Sequence, residues 1–322
     1  MPVDRDYIKL MFKYRILRGL TPSCKLLVCM VLSVATANCL TNPNAAVKWQ
    51  PARPANGSPM LIEIGAPAGV QSLKAQWLGH SVSFYHSGKG KIWCALAGVP
   101  LQTPAGTYEL QITETLANGR TTDIRQKVRV VKATYPKITV KVAKRFTEPN
   151  QTQLAAISVD KGVKEKTFST VSPQMLWTGK FAAPVSAPVS DVFGTERVFN
   201  GEVQSRHQGL DYAVPAGTPI HAINKGIVVL ARPMYFEGSF IVIDHGQGLL
   251  SLYLHLSEFR VKEGQEVGAG DVIGLSGGTG RATGAHLHLA VRWQGIYLDP
   301  AVLLKLPFPS ANRSSRPSVP IS

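Results

Sequence analysis

Ala285-His286-Leu287-His288-Leu289-Ala290-Val291 alternates apolar and polar side chains. That period of two marks a strand with one face buried. Leu287, Leu289 and Val291 are expected to enter a core, which places His286 and His288 side by side on the opposite face. Two imidazoles at i and i+2 suit a shared charge or a shared metal. The pair alone does not choose between them, so further ligands have to come from elsewhere in the chain.

His207 and Asp211 flank Gly209 in a tight extended turn, a spacing that lets both side chains converge. An imidazole and a carboxylate match the preference of zinc for nitrogen and oxygen donors. One histidine of the 286/288 pair completes three ligands and leaves a position for water, the open geometry of a catalytic site. The other histidine of that pair, with His255 in Tyr253-Leu254-His255, remains to carry protons. Tyr253 is expected on the face of His255, either bonding a developing oxyanion or orienting the imidazole. Asn200 and Arg206 are further candidates for the wall of a groove. His221 reads as a groove-wall or surface residue, and His245 as a turn residue with local hydrogen bonds. The glycine-rich run from Gly274 to Gly284 leads into a strand rather than a helix N-terminus, which excludes a phosphate loop and leaves a flexible groove wall.

At these residues the chain resembles a known family. His207-Gln208-Gly209-Leu210-Asp211, Tyr253-Leu254-His255-Leu256-Ser257, and Gly278-Thr279-Gly280 through Gly284-Ala285-His286-Leu287-His288 look like the three signature motifs of lysostaphin/LytM-type zinc endopeptidases, family twenty-three of the metallopeptidases. Those enzymes cut peptide cross-links or stems in bacterial peptidoglycan. The resemblance spans residues 177–305, and Gly226, Asp244-His245-Gly246 and Gly264 agree with it. It implies one zinc ion held by His207, Asp211 and His288, with His255 and His286 as catalytic histidines and peptidoglycan peptides as substrate. Ala285 stands where many relatives carry proline, a change in stiffness and not in ligand chemistry. Family members that have lost ligands serve as activators of other hydrolases. This chain keeps all five polar residues, so the implied reading is an active enzyme, and a non-catalytic cell-wall-binding module or activator is the alternative.

The rest of the chain frames that site. Its 322 residues allow two domains, and 29 glycines with 22 prolines favour short strands and turns. The expected fold is mostly β: an N-terminal immunoglobulin-like β-sandwich over 47–140, then an antiparallel β-sheet catalytic domain of the lysostaphin/LytM type over 177–305. Asn118-Gly119 is a hairpin signal in the first. His80 and His86 lie there without acidic or thiol partners at ligand spacing and read as surface or structural residues. Residues 141–176 form a basic linker or docking segment, with helical potential between Gln151 and Lys166, and 306–322 a flexible tail. Latency is open, since the β-domain or the linker could cover the groove.

Residues 1–38 show a basic start, an apolar run from Leu26 to Ala37 and a small-residue end, the pattern of a signal peptide. The expected location is therefore the periplasm, cell envelope or extracellular space. Membrane contact is expected only through that segment or a lipid on Cys39. The net charge of +15 suits polyanionic partners, here anionic cell-envelope polymers. Nucleic acid is excluded by the export signal and the lack of regularly spaced stacking aromatics. Beyond the signal segment only Cys39 and Cys94 remain, too few for a disulfide framework. Cys94 reads as a small buried apolar residue.

Overall fold

Short alternating segments punctuated by glycine, proline and asparagine commit this chain to strands and tight turns. The computed structural model describes residues 46–65, 69–87, 92–139, 148–170, 172–199 and 202–311. The expected signal peptide, Cys39, Asn200 and residues 312–322 lie outside the described residues.

The first part contributes β1 (Val47–Gln50), β2 (Pro59–Ile64), β3 (Val70–Trp77), β4 (His80–Ser83), β5 (Tyr85–His86), β6 (Trp93–Gly98), β7 (Gly106–Leu116) and β8 (Thr121–Val130). They form two four-stranded antiparallel sheets, ordered β1-β2-β6-β5 and β4-β3-β7-β8. The β7–β8 hairpin turns at Asn118-Gly119, where Gly119 takes φ +79 and the Asn118 side chain accepts the Arg120 amide. Ile62, Trp77, Leu110 and Val128 are fully buried in one core shared by both sheets. Cys94 lies in it as a free thiol pushed up to about 12, by burial first and then by the charge of Glu63.

The second part contributes β9 (Lys137–Thr139), helix α1 (Gln151–Ser169), β10 (Val189–Asp191), β11 (Glu196–Phe199), β12 (Glu202–Arg206), β13 (Leu210–Tyr212), β14 (Pro219–His221), β15 (Gly226–Met234), β16 (Gly238–Gly246), β17 (Leu249–Leu256), β18 (Glu258–Phe259), β19 (Glu266–Val267), β20 (Val272–Leu275), β21 (Leu287–Trp293), β22 (Ile296–Leu298) and the short α2 (Pro300–Leu303). An eight-stranded sheet runs β10-β13-β21-β17-β16-β15-β19, with β22 beside β21. All its pairings are antiparallel. Two three-stranded sheets, β14-β20-β18 and β12-β11-β9, flank it.

Strand β21 behaves as its period of two dictates. Leu287, Leu289, Val291 and Trp293 enter the main core, which leaves His288, Ala290 and Arg292 on the other face. On that face Leu230, Val242, Leu252 and Ala290 pair across four strands in one apolar row. Helix α1 starts at a capping box, in which the Asn150 side chain accepts the Gln153 amide and the Gln153 side chain accepts the Asn150 amide. It lays Val163 and Phe168 on the apolar row. Asp160 accepts the Tyr235 amide, Lys164 pairs with Glu237, and the Arg292 guanidinium lies 4.5 Å over the Phe168 ring. The histidine-bearing face of the sheet is thereby roofed beside the site by a helix from the basic segment.

The two parts pack directly. A Cβ on Gly98 would come within 2.8 Å of Leu298, and the His80 ring centroid is 5.1 Å from that of Trp293. Strand β9 pairs in parallel with β11. The Tyr135 ring occupies the space a Cβ on Gly194 would need, and its hydroxyl donates to the Asn56 carbonyl. The turn 192–195, which borders the site, is thus held by the first part of the chain.

Candidate active site

Register brings the first two groups together. Asp211 on β13 pairs with His288 on β21, so carboxylate and imidazole are cross-strand neighbours. Asp211 Oδ1 lies 2.7 Å from His288 Nδ1. His207 follows β12 and is fixed by its own backbone, its carbonyl accepting the Gly194 amide and its amide donating to the Thr195 carbonyl. Its Nε2 reaches 3.1 Å from Asp211 Oδ1 and 3.0 Å from His288 Nδ1. The three donor atoms therefore form a triangle with edges of 2.7, 3.0 and 3.1 Å. Tetrahedral zinc with donors at 2.0–2.1 Å needs edges of about 3.3 Å. The donor set and its spacing fit that ion, and among the described residues it is the one His/Cys/Asp/Glu group that does.

Gly209 makes this convergence sterically feasible. A Cβ there would stand 2.5 Å from His288 Cε1 and Nε2 and 2.6 Å from the Leu289 carbonyl oxygen. Any side chain would push the imidazole out of the triangle.

Backbone carbonyls set the tautomers. His207 Nδ1 donates to the Val192 carbonyl at 2.8 Å, so the lone pair of a neutral ring sits on Nε2 and faces Asp211 and His288. His255 Nδ1 donates to the Thr279 carbonyl at 2.8 Å, and His286 Nδ1 to the Gly284 carbonyl at 2.9 Å. A neutral ring at either position therefore carries its lone pair on Nε2. Ring centroids step 4.9 Å from His207 to His288, 6.2 Å from His288 to His255, and 4.8 Å from His255 to His286.

Burial opposes ionisation of Asp211, yet the two imidazoles beside it outweigh burial and hold the carboxyl well below the usual range. His255 is drawn down to about 3, by burial first and then by His288 and His286. His288 is lowered by burial against the pull of Asp211.

His255 reaches the site through a β-bulge. Ile241 pairs with Tyr253 and Ser239 with Leu256, so two residues face one, and His255 takes φ +64. The bulge breaks the alternation that would have put Tyr253 beside it. Tyr253 is fully buried instead, its hydroxyl accepting the Ile223 amide and the Ser251 hydroxyl, and that corrects its expected place in the groove. His245 is likewise no turn residue. It is the penultimate residue of β16 and fully buried, 2.7 Å from both the Lys225 carbonyl and Ser251 Oγ. Arg206 is exposed and pairs with Glu196 at 2.7 Å, while His221 Nδ1 donates to the Pro184 carbonyl.

The structure adds groups that sequence reasoning missed. Asp191 Oδ2 lies 3.3 Å from His207 Nδ1, and Arg197 Nη2 lies 3.3 Å from Asp191 Oδ2 and 3.9 Å from Asp211 Oδ2. The carbonyls of Val192, Thr279 and Gly284 have no side-chain signature, so no motif could have found them.

Residues 205–300 match the model of peptidase family M23. The chain is similar to peptidoglycan DD-endopeptidase ShyA of Vibrio cholerae, 50% identical over 82 residues that are 26% of this chain and 19% of the relative. It is also similar to DD-carboxypeptidase/endopeptidase Mpg of Neisseria meningitidis, 40% identical over 110 residues that are 34% of this chain and 25% of the relative. The match thus spans a quarter or less of these relatives' own lengths. A solved chain from Pseudomonas aeruginosa, described as a candidate peptidase M23, superposes with a TM-score of 0.58 at 29% identity, over 78% of this chain and 95% of that one.

Proposed function

The chain belongs to peptidase family M23, and from that premise we propose that it is an exported zinc endopeptidase that hydrolyses peptide bonds in peptidoglycan stems or cross-links. The observation that carries this reading is the triangle of His207 Nε2, Asp211 Oδ1 and His288 Nδ1, with two further imidazoles beside it. Residues 177–305 carry the chemistry. Residues 47–140 are an immunoglobulin-like sandwich, a reading supported by their two four-stranded sheets. Export to the periplasm or cell envelope rests on the N-terminal sequence pattern alone.

His207, Asp211 and His288 would hold the zinc ion, which when bound polarises a scissile carbonyl and lowers the pKa of water. The Val192 carbonyl keeps His207 in the ligating tautomer, as Thr279 and Gly284 keep Nε2 of His255 and His286 open to the groove. Burial keeps His255 neutral. Its Nε2 lone pair is the atom that would accept a proton from attacking water, and the lowered pKa makes the imidazolium so formed acidic enough to pass that proton to the leaving amine. His286 Nε2 is available for the same transfer or for bonding the developing oxyanion. Asp211 stays ionised and balances charge at the centre.

The test is mass spectrometry of muropeptides released from purified sacculi by the zinc-loaded protein. Cleaved stem or cross-link peptides are expected. Intact sacculi in the presence of protein carrying one equivalent of zinc would overturn the reading.

A further inference from the structure

His255 stands in the left-handed region, at φ +64, which a residue with a Cβ keeps only where its surroundings over-determine it. Two bonds do so. Its amide donates to the Glu237 carbonyl at 2.9 Å, and its Nδ1 donates to the Thr279 carbonyl at 2.8 Å. Glu237 belongs to the turn 235–237 between β15 and β16, and Thr279 is seated against the same turn. The Thr279 hydroxyl accepts the Ser239 amide at 2.8 Å and donates to the Leu256 carbonyl at 2.7 Å. The Phe236 carbonyl accepts the Arg281 amide at 2.8 Å, and a Cβ on Gly238 or Gly280 would drive the two loops apart. The His255 imidazole therefore stands where this turn puts it.

The turn itself is gripped by α1. Asp160, Val163, Lys164, Thr167 and Phe168 recur at helical spacing in the half-buried stripe of that helix, which buries no residue completely. Val163 and Phe168 touch the apolar row of the sheet. The two charged members of the stripe reach the turn instead. Asp160 Oδ2 accepts the Tyr235 amide at 2.7 Å, and the Lys164 ammonium pairs with Glu237 Oε1. The Glu237 side chain is only 14% exposed, and its Oε2 has no hydrogen-bond partner among the described residues. A carboxylate so placed is costly once its paired cation is removed. Without the ammonium it would turn out toward water, and it would take with it the backbone whose carbonyl holds His255.

We propose that Asp160 and Lys164 are positioning residues for the reaction. Through Tyr235 and Glu237 they hold the 235–237 turn, and through that turn the His255 imidazole. Helix α1 is then a required strut of the catalytic centre, and not a cover that has to leave before the enzyme works. This role rests on the peptidase reading above.

The experiment measures hydrolysis of soluble cross-linked muropeptides by the zinc-loaded full chain. Lys164→Met and Asp160→Ala should each lower kcat by roughly 10-fold with KM and zinc affinity at parental values, the pattern of a misplaced proton carrier. Lys164→Arg keeps the cation and Asp160→Asn keeps an acceptor, so both should restore most of the rate. Thermal unfolding checks that the sheet is intact in all four variants. A kcat that stays at the parental level or rises in Lys164→Met and Asp160→Ala, a loss carried by KM alone, or no rescue by Lys164→Arg would overturn the proposal. Nitrogen-15 NMR of the imidazoles gives a readout that needs no turnover. In zinc-loaded Lys164→Met the His255 resonances should shift or broaden while those of His207 and His288 stay in place; unmoved His255 resonances would refute the strut. If the parent cuts no muropeptide but Lys164→Met still moves the His255 resonances, the peptidase reading fails while the positioning contact stands.

Discussion

Gly209→Ala tests how tightly the metal site is packed. The added Cβ would stand 2.5 Å from two atoms of the His288 ring and 2.6 Å from the Leu289 carbonyl oxygen. Carbon contacts settle at about 3.5–4.0 Å, so one partner has to retreat by about 1 Å. Leu289 cannot, because it is paired with Leu210 on one side and Tyr253 on the other. The imidazole moves, and with it the 2.7 Å and 3.0 Å edges of the donor triangle. Metal ligands tolerate about 0.2 Å of misplacement. A fall in zinc affinity of about 10- to 100-fold is therefore expected, with kcat/KM down by roughly 100-fold and the fold weakened by about 1–3 kcal/mol. Competition against a chromophoric chelator measures the affinity, and thermal unfolding of metal-free protein separates the stability term. Zinc binding and hydrolysis at parental levels would refute the steric argument.

Three further outcomes follow from the same geometry. His288→Ala and Asp211→Ala should each abolish stoichiometric zinc and sacculus hydrolysis, whereas His286→Ala should keep zinc and lose turnover; metal analysis with turbidity clearing distinguishes them, and full hydrolysis by His288→Ala would end the assignment. His245 is drawn down to about 4 by burial, against the Lys225 carbonyl bond and the charge of Asp244. Its folded pKa lies below the unfolded value, so the unfolded chain binds the extra proton, and up to about 3 kcal/mol present above pH ~6.5 is lost as pH falls toward 4. Urea midpoints across that range should slope for the parent and less for His245→Gln; parallel slopes would count against it. Gly246→Ala should cost about 2–4 kcal/mol, since Gly246 takes φ +86 and a Cβ would collide with the Gln174 carbonyl oxygen; a melting temperature within a degree of the parent would contradict this.

The sequence by itself determined the mostly β architecture, the inward set Leu287, Leu289 and Val291, and the association of His207 and Asp211 with one histidine of the 286/288 pair. These are local or motif properties: strand period, turn residues, and donor types at ligand spacing. The choice of His288 was implied there by the family resemblance, and the structure sets it beside Asp211 through strand register. Only the tertiary structure decided which face His255 and Tyr253 take, because a bulge opposite Phe240 reverses an alternation that the residues of β17 would otherwise continue. The same holds for the three carbonyls that fix the imidazole tautomers, for the seating of α1 beside the site, and for the approach of Arg197 to Asp191 and Asp211. Each depends on backbone atoms or on contacts between segments far apart in the chain, and residue types carry no record of those until the strands have paired.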